Sequence, residues 1–206
     1  MKTAKYSSIR DNMQPGDVIA FSGKGYFSEI VKFATKSPIS HVGIVLKSKL
    51  MLGNSPQAGY FNQIIESTSL EGFSGVSITR ISDRVNTYDG SIWWLPFSEE
   101  SRRGLDLQKF YNFLLHQNGK QYDMPQAIKS ALTLFENKED FSKFFCSELA
   151  AAGLEFGGAI KNINASEVTP ADLCSFGLYS KDYYQIKGDY MQINGFNSVW
   201  ADDWGI

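Results

Sequence analysis

Apolar residues along this chain fall into two periods, and the switch between them divides it. After the turn signal Pro15-Gly16-Asp17, Val18-Ile19-Ala20-Phe21 is an apolar run of strand length. Phe27, Ile30, Val31 and Ala34 then recur at i, i+3, i+4 and i+7, which predicts a helix that closes before Pro38. His41-Val42-Gly43-Ile44-Val45-Leu46 is rich in β-branched and aliphatic residues, and a period of two sets Val42, Ile44 and Leu46 on the face opposite His41. Three more strands are predicted at 63–68, 75–81 and 91–97, with turn-rich spacers such as Leu70-Glu71-Gly72-Phe73 and Tyr88-Asp89-Gly90. Four consecutive strands with no helix between them predict an antiparallel sheet.

Helical periodicity takes over in the second half. Leu107, Phe110, Tyr111 and Leu114 form one stripe, closed near Gly119, and Ile128, Ala131, Leu132 and Phe135 form another, with Asp123 and Pro125 suited to its first turn. A third starts around Cys146 and runs through Leu149, Ala150, Gly153 and Leu154 to a stop at Gly157-Gly158. Thr169-Pro170-Ala171-Asp172-Leu173 has the cap-then-proline start of a short helix. Segments 183–186 and 189–193, on either side of Lys187-Gly188, read as a hairpin, and 200–206 is a tail without a pattern. No linker, charge block or repeat interrupts 15–178. The reading is a single α+β domain over 1–206, with a core at 14–178 and a C-terminal hairpin and tail at 179–206.

A chain of 206 residues, 43% hydrophobic and 20% charged, has the apolar material for a full core. Its 20 Lys and Arg against 22 Asp and Glu leave a formal charge of −2, with no basic excess to set against a phosphate backbone, so nucleic acid is not an expected partner. No stretch approaches the roughly 18 uninterrupted apolar residues of a spanning helix. The opening MKTAKYSSIRDNMQPGD also lacks the apolar segment of a secretory signal. The expectation is a cytoplasmic protein without stable membrane insertion. Cys146 and Cys174 make neither a CxxC pair nor a disulfide framework, which fits a reducing compartment and leaves a usable thiol.

Imidazole and sulfur other than thioether are confined to His41, His116, Cys146 and Cys174. None of the four stand at the close pair spacings of structural zinc sites, so a Cys₂His₂ centre is disfavoured and neither metal nor cofactor is expected. A nucleotide loop at Gly23-Lys24-Gly25-Tyr26 fails as well, because a second glycine and a Lys-Ser/Thr pair are not at the required offsets. A thiol–imidazole pair is the better reading. Cys146, in Phe144-Phe145-Cys146-Ser147-Glu148-Leu149, stands where a hydrophobic approach meets the first turn of a helix, whose unpaired amide N–H groups favour a thiolate. Read alone, it is equally a buried inert cysteine. His41 read alone is a satisfied or surface histidine at a strand edge. Glu66 lies inside the apolar run Ile64-Ile65-Glu66-Ser67-Thr68, where a charge is costly unless paired. A pairing with His41 would fix the imidazole tautomer and leave the other ring nitrogen for the thiol, whereas the alternative turns Glu66 to water at a strand end.

Six short segments occur in order: Pro15-Gly16-Asp17-Val18, Ser40-His41-Val42-Gly43-Ile44-Val45, Ile65-Glu66-Ser67, Gly119-Lys120-Gln121-Tyr122-Asp123, Phe145-Cys146-Ser147-Glu148-Leu149 and Thr169-Pro170-Ala171-Asp172-Leu173. Together they make the chain resemble the permuted papain-like amidases, the YiiX/YebB-like branch of the NlpC superfamily, related to lecithin:retinol acyltransferase. The resemblance runs from about Pro15 to Leu173. It implies a circularly permuted papain-like (NlpC-type) fold, an antiparallel sheet packed against helices, in which the histidine strand precedes the cysteine helix. It also implies Cys146 as nucleophile, His41 as general base and later acid, and Glu66 as the polar third member. The oxyanion would sit against Cys146, with Tyr122 as the candidate helper. Glu71 is the other candidate for the third place, and Asp123 is explained as a helix cap.

The implied reaction is cysteine-dependent amide hydrolysis, by an amidase or peptidase, through a thioester. Acyl transfer on lipid esters or amides by the same triad is one alternative, and a fold that only binds peptide or lipid is the other. The expected partner is a small amide, peptide or lipid-linked substrate. Mature peptidoglycan would need another route of delivery, such as a phage particle or a lysis event. Tyr183, Tyr184, Tyr190, Trp200 and Trp204 of the C-terminal segment are read as packing on the sheet or as edging a substrate cleft.

Overall fold

These signals resolve into one sheet with helices on both faces in the computed structural model, which describes residues 1–53, 59–70, 73–121 and 146–200. In chain order the elements are β1 (Lys2–Thr3), α1 (Tyr6–Ile9), β2 (Val18–Gly23), α2 (Tyr26–Thr35), β3 (His41–Met51), β4 (Tyr60–Leu70) and β5 (Phe73–Arg80). There follow α3 (Ile81–Thr87), β6 (Gly90–Leu95), α4 (Glu99–Gly104), α5 (Leu107–Gln117), α6 (Cys146–Phe156), α7 (Pro170–Ser175) and β7 (Tyr184–Lys187). The strands lie in the order β1-β7-β6-β2-β3-β4-β5. Every neighbouring pair is antiparallel except β1 and β7, so the α+β expectation holds with one parallel pair at the edge.

Alternation along the strands sorts the core into two. One face carries Val18, Ala20, Val42, Ile44, Leu46, Ile65, Trp93 and Leu95 against Phe110 and Leu114 of α5 and Leu149, Ala150, Ala151 and Leu154 of α6. The other carries Ile19, Phe21, Val45, Ile64, Ile92 and Trp94 against Ile9, Met13 and Ile81. A side chain at Gly153 would press on Leu114, with its Cβ 2.9 Å from Leu114 Cδ2, so this glycine lets α5 and α6 approach closely. The cap-then-proline start read at Thr169 is a full capping box: Thr169 Oγ1 accepts from Asp172 N while Asp172 accepts from Thr169 N, with proline in the first turn of α7.

Four expectations change. A helix, α3, stands between β5 and β6 where none was expected, because its seven residues bury only Ile81 and Arg84 and are too few to show a stripe. In α2 the buried positions among the described side chains, which exclude Phe27, are Ser28 and Val31, while Ile30 and Ala34 of the expected stripe are exposed, because this short connection touches the sheet mainly at β2. The C-terminal hairpin does not form. Both edges of β7 are already taken, by β6 and β1, so 189–193 finds no ladder and ties down through side chains instead. Met191 N donates to Gln185 Oε1 at 3.0 Å, Ile193 N donates to Tyr183 Oη at 2.9 Å, and Trp93 Nε1 donates to Met191 O at 3.1 Å. Accordingly Tyr183 is buried, whereas Tyr190 and Trp200 are exposed. Fourth, the Leu107 end of the α5 stripe is exposed and its buried contacts come from Phe110 and Leu114. The helix expected over Ile128, Ala131, Leu132 and Phe135, with Trp204 and Glu71, falls outside the described residues.

Asp17 anchors the start of β2. Its carboxylate is fully buried and accepts from Gln14 N and Trp94 Nε1, each at 2.9 Å, and from Phe97 N at 2.9 Å, and it pairs with Arg102. Burial is the largest influence and raises its proton affinity above the ordinary carboxylate value, against the opposing pull of Arg102 and the three donors. Asp17→Ala leaves Arg102 and Trp94 Nε1 without this partner, so it should cost on the order of 3 kcal/mol, read from the urea midpoint at constant m. A change within a few tenths of a kcal/mol would show that the node is dispensable.

Candidate active site

Three elements deliver the chemistry. His41 is the first residue of β3, Glu66 lies within β4, and Cys146 is the first residue of α6. Ile44 pairs with Ile65 and Val45 with Ile64, and continuing that register sets Gly43 across from Glu66 with His41 next on the same face. A Cβ at Gly43 would lie 2.8 Å from Ile64 Cγ1 and 3.1 Å from Glu66 Cβ. The missing side chain therefore gives the glutamate room to lean toward the histidine.

His41 and Glu66 are 1% and 0% exposed, and His41 Nε2 stands 2.7 Å from Glu66 Oε2. Thr79 Oγ1 donates to Glu66 Oε1 at 3.1 Å. Arg84, buried on α3, donates from Nη2 to Oε2 at 3.2 Å. Its Nε also lies 2.8 Å from Oε1, an ion-pair contact whose N–H points off the line to the oxygen. Burial, the largest influence on Glu66, would raise its proton affinity, but the His41 hydrogen bond, the Arg84 charge, the His41 charge and Thr79 together outweigh it and hold the carboxyl below its ordinary value. Glu66 is therefore ionised and only accepts. In neutral His41 the proton then sits on Nε2, and Nδ1 carries the lone pair.

Cys146 acts on this imidazole. Burial is again the largest influence and lowers the proton affinity of His41, yet Cys146 by charge and hydrogen bonding, then Glu66 by hydrogen bonding and charge, raise it to about 9. Nδ1 makes no hydrogen bond of strict geometry among the described residues, and hydrogen bonds of a catalytic pair often align only once substrate is bound. Phe21 backs the ring, with centroids 5.2 Å apart, on the sheet face away from α6. Cys146 belongs to the α6 face, and the two side chains meet where β3 begins. Ser147 Oγ donates to Val168 O at 2.5 Å and so fixes the first turn of α6, whose amide N–H groups lie beside the cysteine.

Other candidates part from this cluster. Cys174 is buried on α7, and burial first, then Cys146 and Asp172, pushes its thiol proton affinity well up. His116 is exposed in the last turn of α5, and among the described residues no group of three or more His, Cys, Asp and Glu side chains is arranged to hold a metal. Tyr122 lies outside the described residues. Gly25 caps α2, and Gly23 closes β2 against Ser28 and Tyr88, so neither glycine forms a phosphate loop. Thr79 and Arg84 were missed in the sequence. The available signals were a basic residue at the right spacing to be buried with Ile81 on one helical turn, and a hydroxyl on β5, Thr79, two positions from the Ser77 that pairs with Glu66.

No protein-family model matches the chain, and no curated protein matches it. Among solved structures it is similar to the metalloprotein YiiX of Escherichia coli O157:H7, at 18% identity, with 72% of this chain and 68% of that chain covered and a TM-score of 0.44. Among the described residues no helix is long and apolar enough to cross a membrane.

Because Cys146 contributes the two largest raising influences on His41, Cys146→Ala should move the imidazole midpoint down from about 9 in an NMR titration. A proton affinity above the free value of 6.5 contributes stability that is fully present below about pH 6.5 and is lost as pH rises through about 9. The same variant should therefore flatten the loss of stability across that window. An unmoved midpoint would mean that thiol and imidazole do not interact.

Proposed function

We propose that this chain is a cysteine-dependent hydrolase of amide bonds, an amidase or peptidase working through a thioester on a circularly permuted papain-like (NlpC-type) arrangement. The observation that carries the reading is a buried carboxylate holding one imidazole nitrogen at 2.7 Å while a thiol at a helix start acts on the same ring. That the histidine and glutamate strands precede the cysteine helix in the chain is no obstacle, since such a constellation works by geometry and not by sequence order.

In this reading His41 Nδ1 takes the Cys146 proton, giving a thiolate beside an imidazolium. Sγ attacks the substrate carbonyl carbon, and the oxygen that becomes negative sits against the Cys146 backbone N–H in the first turn of α6. The imidazolium returns its proton to the leaving nitrogen as the C–N bond breaks, and a thioester remains. Water then enters, His41 takes one of its protons, the hydroxide oxygen bonds to the acyl carbon, and the C–S bond breaks to regenerate the thiolate. Glu66 stays ionised throughout and keeps the ring aligned. Small amides, peptides and lipid-linked acyl groups all offer the required carbonyl. The cytoplasm is the proposed setting.

The test is a panel of amides and esters turned over by the wild type, Cys146→Ala and His41→Ala, with circular dichroism as the fold control. Amide turnover should be lost in Cys146→Ala and reduced by several orders of magnitude in His41→Ala, both folded. Undiminished turnover in folded Cys146→Ala would end the proposal, and turnover confined to lipid esters would move it to acyl transfer.

A further inference from the structure

We infer that Arg84 is a positioning residue for His41 and acts through Glu66: its guanidinium holds the carboxylate in the orientation that offers Oε2 to the imidazole, and its charge balances the carboxylate's. This role rests on the hydrolase reading of the site.

Each carboxylate oxygen has two neighbours. Oε1 receives Thr79 Oγ1 at 3.1 Å and lies 2.8 Å from Arg84 Nε, while Oε2 meets His41 Nε2 at 2.7 Å and Arg84 Nη2 at 3.2 Å. The guanidinium is itself held, 5.2 Å from the ring centroids of both Phe21 and Tyr88, and Phe21 is the ring that backs His41. One aromatic ring thus sets guanidinium and imidazole relative to each other. An arginine buried this deeply is costly, so its charge needs a purpose as well as a partner.

Counting charge supplies that purpose. With Glu66 ionised and Arg84 present, the buried set is neutral when His41 and Cys146 are both uncharged. It is again neutral after the thiol proton has moved to the imidazole. Without Arg84 the set carries an excess negative charge, which would hold a proton on His41 whatever the thiol does. The guanidinium therefore leaves the Cys146 thiolate as the counter-charge for the imidazolium. Among the described residues the titratable and charged groups around His41 are Glu66 from β4, Arg84 from α3, Tyr88 just beyond α3 and Cys146 from α6, with Cys174 of α7 behind the cysteine.

The test uses the full chain with ¹⁵N-labelled histidine. There are 2 histidines, and exposed His116 serves as the internal reference. Arg84→Gln should raise the His41 midpoint by about one pH unit, a tenfold gain in proton affinity, and mix its neutral tautomers. Arg84→Lys should return most of the midpoint. In a Glu66→Gln background the lost charge should still raise the midpoint, but adding Arg84→Gln should leave the neutral tautomer ratio unchanged, because the carboxylate it orients is gone. A folded Arg84→Gln with wild-type midpoint and tautomer overturns the role, as does an equal tautomer change with and without Glu66. Should Arg84→Gln fail to fold, Glu66→Gln against Glu66→Gln/Arg84→Gln decides: a common tautomer ratio supports the role and a displaced one overturns it. Amide turnover on the same samples separates the two readings, because an inactive wild type removes the hydrolase while the His41 spectra still judge Arg84.

Discussion

A carboxylate without solvent stays ionised only if its surroundings replace water on both oxygens, and in this protein the environment of Glu66 does so. Four contacts from three elements converge on it, and each constrains something else. His41 ties it to the start of β3, Thr79 to the register of β5, and Arg84 to the seating of α3 over Phe21. Gly43 keeps the space between the strands clear. Such a network is worth more complete than in parts, since any one deletion leaves the remaining polar groups buried with fewer partners.

Asp17 makes the comparison instructive. It too is fully buried, with three hydrogen-bond donors and an arginine, and yet its proton affinity is raised where that of Glu66 is lowered. Among the described residues Arg102 is the one cation drawn to Asp17, whereas Glu66 faces both Arg84 and an imidazole that itself binds a proton tightly. Asp17 joins β2 to β6 and α4 and stops there. Glu66 is coupled to a group that can change its charge, which is what separates a structural anchor from a member of a candidate site.

Much of this was legible in residue order. The strand beginning at His41, the period that separates it from Val42 and Ile44, the cost of Glu66 inside an apolar run and the helix beginning at Cys146 are local patterns, and local patterns survive folding. What was not legible depends on long-range pairing. Arg84 sits in a helix of seven residues, too short to show periodicity, and nothing near it announces a carboxylate 18 positions earlier. The segment 189–193 has strand-like composition, but β1 from the chain's other end had already taken the free edge of β7. Similarly, Ile30 and Ala34 look like core on a helical wheel, and what exposes them is how little of the sheet α2 reaches.

The two cysteines show how far environment outruns composition. Both are buried in the same hydrophobic cluster, and by residue type alone they are interchangeable. Cys174 lies within α7 near Asp172, where burial and the neighbouring acid discourage ionisation, so the site stores an inert thiol. Cys146 opens α6 beside an imidazole, and that imidazole is held by a carboxylate whose charge is already balanced by an arginine. Moving a proton from this thiol to this ring creates two opposite charges side by side and no net charge in the interior. That neutrality makes the transfer affordable in a medium that would reject either ion alone.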